Sequence, residues 1–177
     1  MEVIFIRHTS VDVPPGTCYG QTDVPLRPTF PTEAESVRKQ LAGNAAFDKV
    51  YTSPLSRCVR LAEYCGYSDA LRDTRLLELD FGAWEMQRYD EIRDPRLAEW
   101  YADYLHQPAT GGESFAEQWK RVSCFLDELQ KKTYHRVAVF THGGVIACAL
   151  VYAGTVLLEE VFSHVPAYGG IVSIQLP

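Results

Sequence analysis

The 177-residue sequence has no C-x-x-C pair, no long apolar run and no excess of positive charge, and each lack removes a class of function. Cys18, Cys58, Cys65, Cys124 and Cys148 are odd in number and scattered, so neither a disulfide framework nor a zinc site is expected, and reducing cytoplasm is the expected compartment. Such free cysteines are more often small buried apolar side chains than ligands. The net charge of −6 supplies no basic footprint, which argues against nucleic acid and anionic membrane surfaces as partners. No stretch approaches the ~18 consecutive apolar residues that a membrane helix needs. The opening Met1-Glu2-Val3-Ile4-Phe5-Ile6-Arg7-His8 places an acid before a short apolar run and the basic residue after it, the reverse of signal-peptide order.

What is present is an ordinary globular composition, 46% apolar and 23% charged. A chain of this length buries about 68–70% of its unfolded surface, and residues 1–177 are expected to form a single domain. Val3 to Ile6 is β-branched and aromatic but too short for a helix, and reads as a buried strand. Thr9 to Pro31, punctuated by Pro14, Pro15, Gly16, Gly20, Pro25, Pro28 and Pro31, is expected to be a long functional loop. The spacing of Thr32 and Glu35 predicts a capping box and a helix to about Ala42. A second strand is expected over Lys49 to Thr52, then a helix with Ser53 as N-cap and Pro54 as its first residue, running through Leu55, Val59, Ala62 and Cys65. Asp69 to Arg75 reads as a third strand. Leu76 to Gly112 is irregular and aromatic-rich, and an insertion over about 80–112 is expected to form a lid above the sheet. Phe115, Trp119, Val122, Leu126 and Leu129 recur at helical spacing and predict an amphipathic helix from Ser114 to Lys131. A fourth strand over Arg136 to Thr141, a helix from Val145 to about Tyr152 and a closing strand from Gly170 to Leu176 complete the chain. This alternation predicts an α/β fold, a mostly parallel sheet flanked by helices on both faces, with ligands bound beyond the C-terminal ends of the strands.

Those ends carry Arg7-His8, Ser53 with Arg57 in the following helix, and His142. A phosphomonoester has close to two negative charges at neutral pH, and Arg7 and Arg57 offer the fork geometry that binds its oxygens without a metal. The helix opened by Ser53-Pro54 would add its free N–H groups and positive dipole end. An unprotonated His8 would attack phosphorus, while His142, protonated or donating, would stabilise the transferring oxygens. A leaving alkoxide needs a proton. Glu78 is the first candidate donor because its apolar neighbours would raise a carboxyl pKa, with Asp80 and Glu85 as rivals on spacing. Trp84, Tyr89, Trp100, Tyr101 and Tyr104 would suit an apolar ring system or the packing of lid helices. Arg88, Arg93 and Arg96 would read a second anionic group or stay solvated, and His106, His135 and His164 carry no expected role.

Arg7-His8, Ser53-Pro54-Leu55-Ser56-Arg57, Leu77-Glu78-Leu79-Asp80-Phe81-Gly82-Ala83-Trp84-Glu85 and Thr141-His142-Gly143-Gly144 together resemble the histidine phosphatase, or phosphoglycerate mutase-like, superfamily, in order along nearly the whole chain. The resemblance implies a three-layer α/β sandwich, His8 as the phosphorylated nucleophile, Arg7, Arg57 and His142 as the phosphate pocket, Glu78 as the proton donor, and neither metal nor other cofactor. Gly16 to Leu26 looks most like the α-ribazole phosphatases, which act late in cobalamin nucleotide-loop assembly, and this implies pocket-lining roles for Gly20 and Gln21. Gly20 would alternatively serve a turn with positive φ. The chain departs from the family pattern at Thr9, where Gly is usual, at Pro14, where Asn is common, and at Met86, where Gly usually follows Trp-Glu. The expected partner is a small phosphorylated metabolite, either α-ribazole 5′-phosphate or a range of sugar phosphates. A mutase ranks third, because the chain lacks large insertions, and a phosphate-binding module without catalysis is the alternative from a different class.

Overall fold

The computed structural model describes residues 1–43 and 46–177. Strands β1 (Glu2–Arg7), β2 (Lys49–Thr52), β3 (Leu71–Arg72), β4 (Arg136–Thr141) and β5 (Ile171–Gln175) form one sheet in the order β3-β2-β4-β1-β5. The first four run parallel, and β5 pairs antiparallel with β1, Phe5 opposite Val172. Side chains alternate between the faces of a strand. Ile4 and Ile6, with Ala138 and Phe140, therefore meet helices α1 (Phe30–Ala42) and α2 (Ser56–Tyr64) on one face. Val3 and Phe5, with Val137 and Val139, meet α4 (Phe115–Leu129) and α5 (Gly143–Tyr152) on the other. Both faces of β1 and β4 are thus covered, which explains why these parallel strands are apolar without alternation. The expected three-layer α/β sandwich is the observed one.

Local starts and stops differ from the expectation where distant residues do the capping. Helix α1 starts at Phe30 after Thr29, because Pro31 is accommodated in the first turn, where its missing N–H is not needed. Glu33 rather than Glu35 closes that end, accepting from Thr29 Oγ1 at 2.6 Å and Ser10 N at 2.8 Å. Helix α2 starts at Ser56, not at Pro54. Asp23, from the long loop, accepts from Ser56 N at 3.0 Å and Ser56 Oγ at 2.8 Å, so part of the anion-binding capacity expected at this helix end is already used. β3 is confined to two exposed residues because Asp73 turns the chain at once, accepting from Arg75 N at 2.9 Å. Helix α4 has the full capping box, Ser114 with Glu117, but Trp119 is 39% exposed and Gln118 occupies the buried stripe instead.

Between β3 and α4, short 3₁₀ turns at Thr74–Leu76 and Gly82–Trp84 precede helix α3 (Arg96–Ala102). Trp84, Ile92, Ala109 and Cys18 form a separate small core there. All five cysteines are free, and Cys124 is exposed. Among the described residues no helix is long and apolar enough to cross a membrane.

Candidate active site

His8 leaves the end of β1 beside the end of β4, its N–H donating to Thr141 O at 3.0 Å. His142 follows Thr141, and the two imidazoles meet edge to face with centroids 5.2 Å apart. Arg57, in the first turn of α2, is fully buried and its Nε donates to His142 Nδ1 at 3.3 Å. The three separated segments named from the sequence therefore converge on one point. Arg7 reaches it from the other side, its guanidinium within 3.4 Å of where a Cβ on Gly143 would lie.

Hydrogen bonds assign the tautomers. Thr9 O, which can only accept, lies 2.7 Å from His8 Nδ1, so Nδ1 carries the proton and Nε2 keeps a lone pair. Burial, and then the charge of Arg57, lowers the His8 pKa to about 3. His142 Nδ1 accepts from Arg57, so its Nε2–H donates to Ser53 Oγ at 2.7 Å. Burial and then Arg57 hold His142 well below the ordinary imidazole value. The protonated His142 considered from sequence is thereby replaced by a neutral ring with one N–H, because desolvation and a neighbouring cation both disfavour the charged form.

Both arginines are held by backbone carbonyls, which orient them without cancelling their charge. Arg57 Nη2 donates to Gly20 O at 2.6 Å and Nη1 to Thr22 O at 3.0 Å. Arg7 Nη1 donates to Pro166 O at 2.7 Å, and its buried Nε has no partner. Gly20 does not have a positive φ. It is glycine because the backbones touch: a Cβ there would lie 1.8 Å from Leu79 O. Gln21 Nε2 donates to Glu78 O at 3.1 Å. Gly20 and Gln21 are not on the cavity wall, and of the expected phosphate pocket only Arg7 is, Arg57 and His142 being fully buried behind it; Gly20 and Gln21 support Arg57 and Glu78 from there. Glu85 fixes the same loop, accepting from Gln21 N at 2.8 Å and Thr22 N at 2.6 Å.

Glu78 does line the cavity, together with Arg7 and His8. Its setting is not the apolar one expected. Oε1 accepts from Leu79 N at 2.9 Å and Gln118 Nε2 at 3.0 Å, and Oε2 from Gly144 N at 3.2 Å. The rival Asp80 is occupied in a turn, accepting from Gly82 N at 2.8 Å, and neither it nor Glu85 reaches the wall.

The cavity has a volume of about 470 Å³, and its far end is a wall of rings: Phe81, Tyr89, Trp100, Tyr104, Phe115 and Phe162. Trp84 is buried beneath and donates to Asp94 at 2.8 Å, while Tyr101 is 60% exposed. Arg88, Arg93 and Arg96 are absent from the wall; Arg88 pairs with Asp90 at 2.7 Å. His106, His135 and His164 are absent from it as well. Among the described residues no three His, Cys, Asp or Glu side chains are grouped to hold a metal ion.

Sequence reasoning missed a tyrosine pair. The Tyr19 and Tyr168 hydroxyls are 2.5 Å apart, and the Tyr168 ring lies 4.3 Å from Arg7 Cζ and 5.4 Å from the His8 ring. Tyr168 and Phe162 fall in a stretch without hydrophobic periodicity, which left no signal. Of the departures from the family pattern, Thr9 is fully buried with Oγ1 unpartnered, and Pro14 O accepts from Thr17 Oγ1 at 2.7 Å in a turn. Met86 has φ of 65°, the one positive value at a non-glycine among the described residues.

The chain matches the histidine phosphatase superfamily (branch 1) over residues 3–176. It is 26% identical over 148 residues to phosphoserine phosphatase 1 of Hydrogenobacter thermophilus, covering 78% of this chain and 69% of that protein. The fold matches a protein from Thermus thermophilus with a TM-score of 0.79 at 29% identity, covering 100% of this chain and 91% of that one. It matches the α-ribazole phosphatase from Shigella flexneri with a TM-score of 0.89 at 23% identity, covering 100% and 91%. The names of these two phosphatases give different substrates. With nearly its whole length matched, two histidines in contact and two arginines beside them, the chain belongs to the histidine phosphatase superfamily.

Proposed function

We propose that this phosphatase hydrolyses α-ribazole 5′-phosphate through a phosphohistidine on His8, without a metal or other cofactor, in cytoplasmic cobalamin nucleotide-loop assembly. One observation carries the chemistry: a buried, neutral His8 whose Nδ1–H is tied to Thr9 O, leaving the Nε2 lone pair beside Arg57 and Arg7. In this reading the arginines bind the phosphoryl oxygens and His142 Nε2–H turns from Ser53 to donate to one of them. His8 Nε2 bonds to phosphorus as the ester P–O bond breaks, and Glu78 protonates the departing oxygen. The Glu78 carboxylate then takes a proton from the water that attacks the phosphohistidine, releasing phosphate and restoring both residues. Residues 1–177 act as a single domain, with the segment at about 80–112 as a lid.

The wall of rings supports the substrate. A benzimidazole nucleoside suits flat aromatic contacts. Phosphoserine would bring an ammonium and a carboxylate, and Arg7, at the phosphate end, is the one cation on the wall among the described residues. Steady-state kinetics on α-ribazole 5′-phosphate, O-phosphoserine and glucose 6-phosphate test this. The expected kcat/KM is at least about tenfold higher for the first, a margin of about 1.4 kcal/mol. Equal values on all three would indicate a broad-specificity sugar-phosphate phosphatase, and no turnover of any a phosphate-binding module.

A further inference from the structure

Helix α4 holds Glu78 at two points. Arg121 Nη2 donates to the Glu78 carbonyl oxygen at 2.9 Å, and Nη1 donates to Leu77 O at 2.6 Å. One turn earlier, Gln118 Nε2 donates to Glu78 Oε1 at 3.0 Å. Gln118 is 0% exposed and sits between Phe115 and Val122 on the core-facing stripe, where an apolar side chain would be the ordinary occupant. Its own Oε1 is buried without a partner, so the residue keeps an unmet polar atom in exchange for one contact to Glu78. Gly144 completes the seat. A Cβ there would lie 2.3 Å from Glu78 Oε1 and 2.7 Å from Gln118 Oε1, so only glycine lets the carboxyl and the carboxamide meet.

We infer that Gln118 is a positioning residue that keeps the transferable proton of Glu78 on Oε2, an inference that rests on Glu78 being the proton donor. Oε1 accepts two hydrogen bonds, from Leu79 N and Gln118 Nε2, which occupy both of its lone pairs. Oε2 accepts one, the longer bond from Gly144 N at 3.2 Å, and has room for a proton. As the ester P–O bond breaks, its electron pair takes the proton from Oε2, and the three N–H groups hold the resulting carboxylate in place. When water attacks the phosphohistidine, Oε2 accepts a proton as the new P–O bond forms and the N–P bond breaks. Without the Gln118 donor, Oε1 regains a free lone pair and the proton divides between two oxygens.

The test is the leaving-group dependence of Gln118→Leu beside Glu78→Gln, on an alkyl phosphate and on p-nitrophenyl phosphate, whose phenol barely needs a proton. Gln118→Leu should lower kcat for the alkyl ester about tenfold, part of the 10²–10⁴-fold of a general acid, leave p-nitrophenyl phosphate within about twofold, and change KM little. In the Glu78→Gln background it should add no further loss. Equal losses on both esters, or a loss undiminished in that background, would make Gln118 merely structural and overturn the inference. So would a Gln118→Leu enzyme that behaves as wild type while Glu78→Gln is selective. A Glu78→Gln enzyme that loses equally on both esters would instead remove the proton-donor assignment, and this inference with it. If circular dichroism shows Gln118→Leu misfolded, Gln118→Met, of similar length and without the amide, is judged by the same outcomes.

Discussion

Behind the phosphate end of the cavity, where Arg7, His8 and Glu78 form the wall, Arg57 and His142 are fully buried and tied to Gly20, Thr22 and Ser53 by hydrogen bonds of 2.6–3.0 Å, whereas at the other end the Tyr104, Phe115 and Phe162 side chains pack ring against ring with centroids 5.4–6.2 Å apart. The first end is built from strand termini and the start of α2, the second from the segment before α4, the first residue of α4 and the segment after α5. Hydrogen bonds are directional and lock a geometry, while ring contacts tolerate change of shape. In the proposed reaction the first end would hold the phosphoryl group and the second would select what leaves.

Substitutions at the two ends should separate in kind. Arg57→Leu should lower kcat about 10²–10³-fold, as expected for one lost transition-state donor, and by the same factor for every ester. Trp100→Leu should raise KM about tenfold for α-ribazole 5′-phosphate, equivalent to losing roughly 1.4 kcal/mol of aromatic contact, and leave glycerol phosphate unchanged. Steady-state kinetics of both variants on both substrates check this. An Arg57 effect that varied with the leaving group, or a Trp100 effect that did not, would erase the distinction.

At the phosphate end, acid should act through the buried histidines. An unfolded histidine takes up a proton below its ordinary pKa of 6.5, while folded His8 stays neutral down to about 3. The unfolded state thus binds more protons in that window, so the folded state loses stability as pH falls from 6.5 toward 3 and is unaffected above it. The slope is about 1.4 kcal/mol per pH unit for one such histidine, and His142, shifted in the same direction, adds to it. Urea unfolding at pH 7, 6 and 5 should show a shallower acid slope in His8→Asn than in wild type. Because His8 is already neutral, kcat/KM should not fall with an apparent pKa near 6.5.

The smallest expected effect lies away from both ends, at the half-exposed Met86. An L-residue with φ of 65° is strained, whereas glycine tolerates that angle at the cost of a more flexible unfolded chain. Met86→Gly should raise stability by up to about 1 kcal/mol, measured by urea unfolding, with kcat unchanged.

The phosphate end was legible in the sequence because its residues follow short periodic elements: Arg7 and His8 after Val3–Ile6, and His142 after an apolar strand. What escaped depends on contacts between distant residues. Asp23 caps α2 from 33 positions away, and the site of Ser53 is decided by His142. Gly20 faces Leu79 O, a contact with no local trace. The charge state of His142 follows from complete burial beside Arg57, which composition does not reveal. Gln118 did leave a trace, a polar residue at a core-facing helical position three after Phe115.

The most direct measurement mixes enzyme with substrate, stops the reaction within milliseconds in alkaline denaturant, where phosphohistidine persists, and maps the phosphate by mass spectrometry. Phosphate is expected on the peptide containing His8, formed and lost at rates compatible with turnover and absent in His8→Asn. Steady turnover with an unmodified His8, or with phosphate carried on another residue, would contradict it.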